Sequence, residues 1–360
     1  MKNKLIFEFS KNKTDGDSSL NNLLGGKGAN LAEMSNMKIP VPPGFTITTE
    51  VCNYFTENKK LPDNLNNEIR KAVNNLESLS DKSFGGEGTP LLLSVRSGGR
   101  VSMPGMMDSV LNIGLNDSNV FQLAEAFNDE RFALDSYRRL IQMYSNVVLG
   151  VEHERFEAVL ANKKRMDNVV SDADFNVDQL NWIINAYKNT VERFTDSLFP
   201  QDPYEQLTGA IEAVFNSWQN KRAVIYRKIN NIPDSWGTGA TIQSMVFGNL
   251  NDKSGTGVAF TRNPSNGDKE LYGEYLINAQ GEDVVAGIRT PHPIRKHSKI
   301  EQESLESKFP KAYKELLEIS TKLENHFKEA QDIEFTIENE DIYLLQTRTA
   351  KRTAQASVKI

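Results

Sequence analysis

The segment 331–348, QDIEFTIENEDIYLLQTR, carries carboxylate, amide and guanidinium side chains at alternating positions. This alternation predicts two strands joined by a tight polar turn, with successive side chains on opposite faces. We expect a three-residue loop at 339–341, because a two-residue loop would flip the parity and set the apolar faces against each other. One face of the hairpin then carries two apolar pairs, and the other face carries two polar pairs. These pairs are Phe335 with Leu345, Ile337 with Tyr343, Glu334 with Gln346, and Asp332 with Arg348.

The polar face has the side chains to bind a metal and a phosphate. Asp332, Glu334 and Gln346 supply hard oxygen ligands, which Mg²⁺ prefers. The adjacent guanidinium of Arg348 can hold a phosphate through two parallel hydrogen bonds. The alternative is a solvated strand face with a single salt bridge, which is the usual role of such a face. The hairpin leaves both interpretations open, so other parts of a nucleotide site must be found elsewhere in the chain.

A glycine-rich segment, LLGGKGAN at 23–30, precedes the amphipathic stretch ANLAEMSNM. Lys27 would lie close to the N-terminus of that helix, where the helix dipole disfavours a cation. A bound anion between the two would remove this conflict, as in phosphate sites at helix starts. The segment is not a P-loop, since Gly28 stands where Ser or Thr would reach Mg²⁺. A solvent-facing lysine after a flexible turn explains the segment equally well.

A second segment, SVRSGGRVSMPGMMDSVLNIGLND at 94–117, starts at the end of an apolar strand. Arg96 closes that strand, and several glycines follow it. Backbone N–H groups and a guanidinium can converge on an oxyanion at such a place, so we interpret Arg96 as a phosphate ligand. Met103, Met106 and Met107 would form an adaptable wall over a ligand, and ordinary core packing is the alternative.

The composition indicates a globular protein of more than one lobe. The 360 residues are 38% apolar and 25% charged, and the net charge of −6 argues against a nucleic-acid partner. The one cysteine, Cys52, rules out an internal disulfide, fits a reducing compartment and is expected in the core. We find neither a signal-peptide core nor an apolar run long enough for a bilayer. A cytoplasmic protein without membrane contact is therefore expected.

The spacing of apolar residues predicts the elements that carry these segments. Strands are expected at 44–48 and 91–95, and the pattern turns helical from about 118 to 230. The segment 131–148 places five apolar side chains on one helical face. These are Tyr137, Leu140, Ile141, Tyr144 and Val148. Further amphipathic helices are predicted at 152–165, 178–195 and 203–230.

After Pro233 the composition changes to β-branched segments separated by glycines. Strands are predicted at 240–247, 255–262 and 272–279, followed by a charged helix at about 303–330 and then the hairpin. The predicted architecture is therefore mixed α/β, with lobes built around a helical insertion.

Taken in order, these segments resemble the pyruvate, phosphate dikinase family. The resemblance rests on LLGGKGANLAEM, SVRSGGRVSMPGMMDSVLNIGLND, RFALDSYRRLIQMYS, SGTGVAFTRNPSNG with GEYLINAQGEDVVAG, and QDIEFTIE followed by LLQTR. It runs from about residue 5 to about residue 355. The related phosphoenolpyruvate synthases usually lack the SMPGMMD sequence at this place, which makes the resemblance specific.

The resemblance implies an ATP-grasp-like nucleotide-binding domain of α/β (α+β) class with a helical insertion. It divides the chain into a first lobe with the glycine-rich loop (1–117) and a mainly helical subdomain (118–232). A second lobe with the metal and phosphate hairpin (233–350) and the start of a linker (351–360) follow.

The resemblance also implies roles for single residues. Lys27 matches the glycine-loop lysine, Arg96 the phosphate-binding arginine, and 98–108 the mobile loop over the triphosphate. Glu282 matches the carboxylate that binds the ribose hydroxyls, and 243–246 lies where a strand meets adenine. The implied catalytic residues are Lys27, Arg96 and Arg348. The implied ATP ligands are Lys27, Arg96, Gly98, Gly99, Met103, Gly105, Gln243, Met245, Val246, Glu282, Asp332, Glu334, Gln346 and Arg348. The implied ligands of Mg²⁺ are Asp332, Glu334 and Gln346.

The family reaction converts ATP, phosphate and pyruvate into AMP, pyrophosphate and phosphoenolpyruvate. This chain would bind Mg²⁺-ATP and present the β-phosphate to a histidine in a separate phosphohistidine domain, with pyruvate bound in a further barrel. As a fragment the chain is expected to be a monomer, and the full-length enzyme a homodimer.

The four histidines of the chain lack the Thr-Ser-His context of the family's nucleophile. They are His153, His292, His297 and His326, and we expect structural or solvated roles for all of them. The chain is therefore expected to be an excised or truncated portion that binds ATP without completing the reaction.

Two alternative functions remain open from the sequence. One is a related phosphotransferase with another acceptor, such as phosphoenolpyruvate synthase, an antibiotic phosphotransferase or a glucan dikinase. The other is a nucleotide-sensing or partner-binding module without turnover.

Overall fold

The structure is a computed structural model that describes residues 4–287, 289–296 and 303–360. Within these residues, strands and helices alternate at both ends of the chain and helices fill its middle. The strands are β1 (Ile6–Phe9), β2 (Gly44–Ile47), β3 (Leu93–Gly99), β4 (Ser109–Ile113), β5 (Thr238–Ser244), β6 (Gly255–Phe260), β7 (Tyr272–Ile277), β8 (His292–Pro293), β9 (Gln331–Glu338) and β10 (Asp341–Thr349). The helices are α1 (Asn21–Asn36), α2 (Thr49–Asn58), α3 (Leu65–Ser80), α4 (Asn119–Phe127), α5 (Glu130–Val147), α6 (His153–Asp167), α7 (Val177–Thr195), α8 (Pro203–Ser217), α9 (Lys221–Ile229), α10 (Gly281–Ala286), α11 (Leu305–Lys308), α12 (Pro310–Phe327) and α13 (Ala354–Lys359).

The chain divides into two compact units that are both discontinuous in sequence. The first comprises Met1–Glu8, Asn22–Gly28 and Pro43–Met245. The second comprises Phe9–Asn21, Ala29–Pro42 and Val246–Ile360. The mixed α/β class predicted from the sequence is confirmed, and the four-part division at residues 117, 232 and 350 stays a prediction.

The first unit is built on a five-stranded sheet of order β1-β2-β5-β3-β4. One row of paired residues runs across its four last strands: Phe45, Ile242, Val95 and Val110, all fully buried. Helix α8 packs on β3, β4 and β5, and α2 packs on β5. Cys52 in α2 is buried as expected, and burial raises the pKa of its thiol to about 11.

The predicted helices of the middle segment are present. Helix α5 begins after Asp129, whose carboxylate accepts a hydrogen bond from the backbone N–H of Phe132. Four side chains of its predicted apolar face are buried, and the fifth, Val148, is half-buried. The single helix predicted over 203–230 is two helices, because α8 ends at Ser217 and the chain turns before α9.

The second unit is built on an antiparallel sheet of order β10-β9-β6-β7-β8. Its core gathers buried side chains from the sheet, from α1 and from the helices that cover it. The strand members are Ala259, Tyr275, Ile333, Phe335, Ile337, Ile342 and Leu344. Helix α12 packs on β9 and β10. The charged helix predicted at 303–330 is interrupted at Phe309, immediately before Pro310 starts α12.

None of the helices in the described part of the chain combines the length and the apolar character needed to cross a bilayer.

Candidate functional site

A kink in α1 positions Lys27 in the first unit. Gly25 interrupts the helix with φ 69° and ψ 163°, and the helix resumes directly after it. Lys27 therefore lies in the first turn of the resumed helix, as the sequence predicts. A Cβ on Gly28 would lie 2.6 Å from the hydroxyl oxygen of Thr46 in β2, so the helix packs closely on the sheet at this point.

Three glycines let the main chain of α1, β3 and β5 approach closely. A Cβ on Gly25 would lie 1.8 Å from the carbonyl oxygen of Gly98, and one on Gly239 would lie 2.5 Å from the carbonyl oxygen of Leu24. A Cβ on Gly98 would lie 3.2 Å from Cβ of Lys27. These contacts place the Lys27 side chain beside the end of β3, which is the strand that carries Arg96.

Arg96 and Lys27 share one face of the first sheet. Alternate residues of a strand point to the same side, so the Arg96 side chain lies on the side to which Gly98 would direct a Cβ. In the antiparallel pairing with β5, Arg96 lies opposite Thr241 and Ser94 lies opposite Gln243. The structure thus brings Lys27, Arg96 and Gln243 to one face, whereas the buried row of apolar residues occupies the other.

The end of β3 is held by a buried hydroxyl. The backbone N–H of Gly98 donates to the Thr238 hydroxyl oxygen at 3.1 Å, and that hydroxyl donates to the Gly239 carbonyl at 3.0 Å. A Cβ on Gly99 would point to the face of the sheet opposite to that of Gly98, and it would lie 3.7 Å from the ring of Trp218. Sequence reasoning missed Thr238, because a lone threonine in a strand gives no signal of a contact 140 residues away in the chain.

The loop after β3 contains the predicted methionine wall. Met103 is buried, which suits the alternative of core packing as well as it suits a ligand contact. Gly105 has φ 69° and an exposed, open position, with no atom within 4 Å of a Cβ built on it. The roles of Met103 and Gly105 in ATP binding stay predictions.

In the second unit, the turn of the hairpin is shorter than predicted. Glu338 pairs with Asp341, which leaves only Asn339 and Glu340 in the loop. These two residues have φ of 48° and 71°, and positive φ at both places defines the two-residue turn that matches strand twist best. The predicted three-residue loop at 339–341 is therefore wrong.

The two predicted apolar pairs are wrong for the same reason. The structure pairs Phe335 with Leu344 and Ile337 with Ile342, in place of Phe335 with Leu345 and Ile337 with Tyr343. The shift suits burial, because Ile342 and Leu344 enter the core while Tyr343 stays half-buried. The expectation that a two-residue loop would set the apolar faces against each other is thus also wrong.

A β-bulge restores the register on the far side of the strand. The pairing skips Leu345, after which Gln346 lies opposite Glu334 and Arg348 lies opposite Asp332. Both predicted polar pairs are confirmed. A bulge adds one residue to one strand and changes its parity, which the sequence argument had not allowed for.

The neighbouring strand β6 extends this polar face. Val258 lies opposite Glu334 and Phe260 lies opposite Asp332, and both apolar side chains are only partly buried. Across the next ladder, Glu274 of β7 lies opposite Val258. The sequence predicts β6 and β7 as strands, but it does not predict their pairing partners, because no local pattern specifies which strands pair.

Asp332 is a partly buried carboxyl group of the hairpin with a perturbed pKa. It is 9% exposed, and the Nε atom of Arg348 donates to its Oδ2 atom at 2.7 Å. Burial raises the pKa of Asp332; Arg348 acts in the opposite direction, and the nearby Glu334 adds to the increase. Because burial is the largest of these effects, the ionised form of Asp332 is disfavoured here, and a cation bound beside it would stabilise that form.

This donor set fits Mg²⁺ together with phosphate oxygens. The described residues contain no group of three or more His, Cys, Asp or Glu side chains arranged to hold a metal. Mg²⁺ needs no such cage, since it usually takes one or two carboxylates, keeps waters and shares phosphate oxygens of its substrate. Asp332, Glu334 and Gln346 provide two carboxylates and one amide on adjacent strands.

The remaining predicted nucleotide contacts lie in separate places. Gln243 is 2% exposed, and the backbone N–H of Met245 donates to the Leu92 carbonyl at 2.9 Å. Val246 is half-buried at the start of the last segment of the second unit. Glu282 lies in the first turn of α10 in that unit. Their roles toward adenine and ribose stay predictions.

The described histidines make contacts that suit structural or solvated roles. His326 in α12 lies 2.6 Å from the carboxylate of Glu33, and His153 lies 3.4 Å from that of Glu157. The ring of His292 lies 5.6 Å from the ring of Tyr275. His297 lies outside the described residues.

Comparison with known proteins agrees with the resemblance. The model of the family described as pyruvate phosphate dikinase, AMP/ATP-binding domain, matches residues 21–85, 57–312 and 296–360. The chain belongs to this family. The match supports the predicted fold class, an ATP-grasp-like nucleotide-binding domain.

Curated relatives of this family member are named pyruvate, phosphate dikinase. The protein from Rickettsia conorii is 52% identical over 358 residues, and the one from Clostridium symbiosum is 50% identical over 359 residues. The chloroplastic protein from Mesembryanthemum crystallinum is 49% identical over 358 residues. Each alignment covers 99% of this chain but 40%, 40% and 37% of the relatives, so the chain spans about 40% of their length.

Proposed function

We propose that this chain binds Mg²⁺-ATP as the nucleotide-binding portion of a pyruvate, phosphate dikinase. The observation that carries the proposal is the polar face of the hairpin, where Asp332 lies opposite Arg348 and Glu334 lies opposite Gln346. In a member of an AMP/ATP-binding family, two carboxylates, an amide and an arginine on one face are the side chains that a metal-bearing triphosphate requires.

The basic residues of the first unit would bind phosphate oxygens. Lys27 lies in the first turn of a helix, where the helix dipole favours an anion, and Arg96 shares its face of the sheet. Lys27 and Arg96 would neutralise negative charge on the phosphates. Such catalysis consists of positioning and electrostatic stabilisation rather than of covalent chemistry by this chain.

The acidic residues of the second unit would hold the metal. Mg²⁺, when bound, supplies positive charge that is shared between protein carboxylates and phosphate oxygens. Glu334 and Gln346 would be its protein ligands, and Asp332 would hold Arg348 in place while adding a third oxygen. Glu282 would accept hydrogen bonds from the ribose hydroxyls.

The complete reaction would also need a histidine that accepts the phosphoryl groups and a site for pyruvate. A histidine attacks the β-phosphorus of ATP, AMP leaves, inorganic phosphate removes the terminal phosphoryl group as pyrophosphate, and pyruvate takes the remaining one. We propose that this histidine and the pyruvate site belong to other domains. This chain then supplies ATP binding and the alignment of the phosphates with the attacking nitrogen.

Titration calorimetry with Mg²⁺-ATP tests the nucleotide site. We expect Lys27→Ala and Arg348→Ala each to weaken binding roughly tenfold or more, because each removes a charged hydrogen bond to a phosphate. Two exposed cations serve as matched controls: Arg155→Ala in α6 and Lys228→Ala in α9 should leave the affinity unchanged. If both site variants remain folded and bind Mg²⁺-ATP like the unmodified chain, the proposed site is wrong.

An activity assay tests whether the histidine that accepts the phosphoryl groups belongs to another domain. The purified chain should form no AMP from ATP in the presence of pyruvate and phosphate. Robust pyruvate-dependent AMP formation by the chain alone would show that its own residues include the phosphoryl acceptor, and would overturn the proposed role of other domains.

A further inference from the structure

The loop from Arg100 to Asp108, which joins β3 to β4, contacts α9 at several points. The Arg222 guanidinium donates to the Met106 carbonyl at 3.2 Å and pairs with the carboxylate of Asp108. The Asn220 amide, one residue before α9, donates to the other carboxylate oxygen of Asp108 at 2.9 Å. The Tyr226 hydroxyl lies 3.5 Å from the Ser102 carbonyl. We call the contacts of Arg222 and Asn220 with the loop the loop latch.

Helix α9 is itself fixed to the body of the first unit by another side chain, Arg227. Arg227 is 1% exposed, its guanidinium lies 4.2 Å over the Trp218 ring, and its Nε donates to Asp234 at 2.8 Å. Residues four apart lie on one side of a helix, so Arg222 and Tyr226 form a single edge that faces the loop. A rigid element therefore holds the loop on both sides of its tip at Gly105.

The loop latch should contribute little to the free energy of unfolding of the first unit, but it should restrict the motion of the loop 100–108. The Arg222 side chain is 53% exposed, and exposed ion pairs contribute little to the free energy of unfolding. The tip between its anchor points is open, with no atom within 4 Å of a Cβ on Gly105 and with Val101 41% exposed. Loss of the latch would thus release the loop without unfolding the unit.

We propose that Arg222 and Asn220 are positioning residues, which order the loop 100–108 through Asp108 before the nucleotide binds. This inference rests on the proposed function and on the resemblance, which implies that residues 98–108 cover the triphosphate. The loop starts at Arg100, two residues after the Gly98 that lies beside Lys27. A loop that becomes ordered only on binding lowers the affinity, because its backbone and side chains lose conformational freedom. A loop that is already ordered in the ligand-free chain avoids this loss.

Hydrogen exchange of the ligand-free chain tests the latch directly. Amides of peptides covering 100–108 should exchange roughly three- to tenfold faster in Arg222→Ala than in the unmodified chain. Lys228→Ala removes a cation from the same helix that is not part of the latch, and it should leave exchange unchanged. Unchanged exchange in Arg222→Ala would overturn the proposal.

Calorimetry with Mg²⁺-ATP tests the positioning role. Arg222→Ala should weaken binding roughly three- to tenfold, while its melting temperature stays within about 2 °C of the unmodified chain. The double variant Asp108→Arg with Arg222→Asp restores the ion pair with reversed sign, and it should recover part of the affinity that either single variant loses.

The outcomes separate this proposal from the proposed function. Faster loop exchange with unchanged Mg²⁺-ATP affinity would refute the positioning role, even if Lys27→Ala and Arg348→Ala weaken binding. Unchanged affinity in Lys27→Ala and Arg348→Ala would instead refute the nucleotide site itself. A double variant no better than the single variants would show that charge pairing between residues 108 and 222 is not what orders the loop.

Discussion

The two units position their candidate phosphate and metal ligands by different means. In the first unit, Lys27 is placed by contacts between glycine backbones, and the closest of these leaves no room for a methyl group. In the second unit, Arg348 is placed by a charged hydrogen bond to Asp332 on the neighbouring strand. The first arrangement is steric and independent of pH, whereas the second depends on the ionisation of a partly desolvated acid.

Because of this difference, substitutions in the two units should affect stability and nucleotide binding differently. The glycine contacts are needed both for folding and for placing Lys27, so a change there should disturb both. Asp332 is placed where burial opposes its ionisation, which is expected where a charge serves binding rather than stability. Three substitutions test this contrast.

The largest effect is expected from Gly25→Ala in the first unit. The new Cβ would lie 1.8 Å from the Gly98 carbonyl oxygen, and φ of 69° is itself unfavourable for alanine. We expect the free energy of unfolding to fall by about 3 kcal/mol or more, measured by chemical denaturation. Gly150→Ala is the matched control, since its φ is 72° but no atom lies within 4 Å, and it should lose only about 1–2 kcal/mol. Equal losses would show that backbone strain, not the contact with Gly98, explains the glycine.

A smaller effect is expected from Asp332→Asn, which should keep or raise the stability of the chain but weaken its binding of Mg²⁺-ATP. The folded chain binds the Asp332 proton more tightly than the unfolded chain does, because burial raises the pKa of this group in the folded state. The ionised acid therefore lowers stability above its folded pKa, and this penalty disappears as the pH falls through that pKa toward the unfolded value of about 3.9. At pH 7 the melting temperature of Asp332→Asn should be unchanged or higher, and the difference from the unmodified chain should shrink in acid.

The same variant should bind Mg²⁺-ATP roughly tenfold more weakly, because Arg348 loses its charged partner and the metal loses an oxygen ligand. Asp341→Asn in the same hairpin, which removes an exposed carboxylate at the turn, is the control and should keep full affinity. A variant that is less stable at pH 7 and still binds normally would reverse the contrast drawn between the two units.

The smallest effect is expected from Glu340→Gly in the turn. Glutamate at φ of 71° is strained and glycine is not, so the variant should gain about 0.5–1 kcal/mol in the free energy of unfolding without changing Mg²⁺-ATP affinity. Glu340→Ala also loses the exposed ion pair with Lys253 but keeps the positive φ, and it should gain nothing. If both variants behave alike, relief of strain is not the cause.

Local pattern was sufficient for α5, α6 and α7, and it identified the polar face of the hairpin. Tyr137, Leu140, Ile141 and Tyr144 repeat with the period of a helix, and they are buried on one side of α5. Glu334 with Gln346 and Asp332 with Arg348 were also paired correctly, although the predicted turn was wrong. Two errors cancelled there, because the shorter loop and the skipped Leu345 each shift the pairing by one residue.

What the sequence by itself determined is the type of each element that it predicted and the identity of its charged and apolar faces, since these depend on residues a few positions apart. The tertiary structure alone decided the turn length, the bulge, the partnership of β6 with β9, and the contacts of Gly25 with Gly98 and of Arg222 with Asp108. These features join residues distant in the chain, and their free energy depends on the packing of the whole unit. No local pattern records that packing.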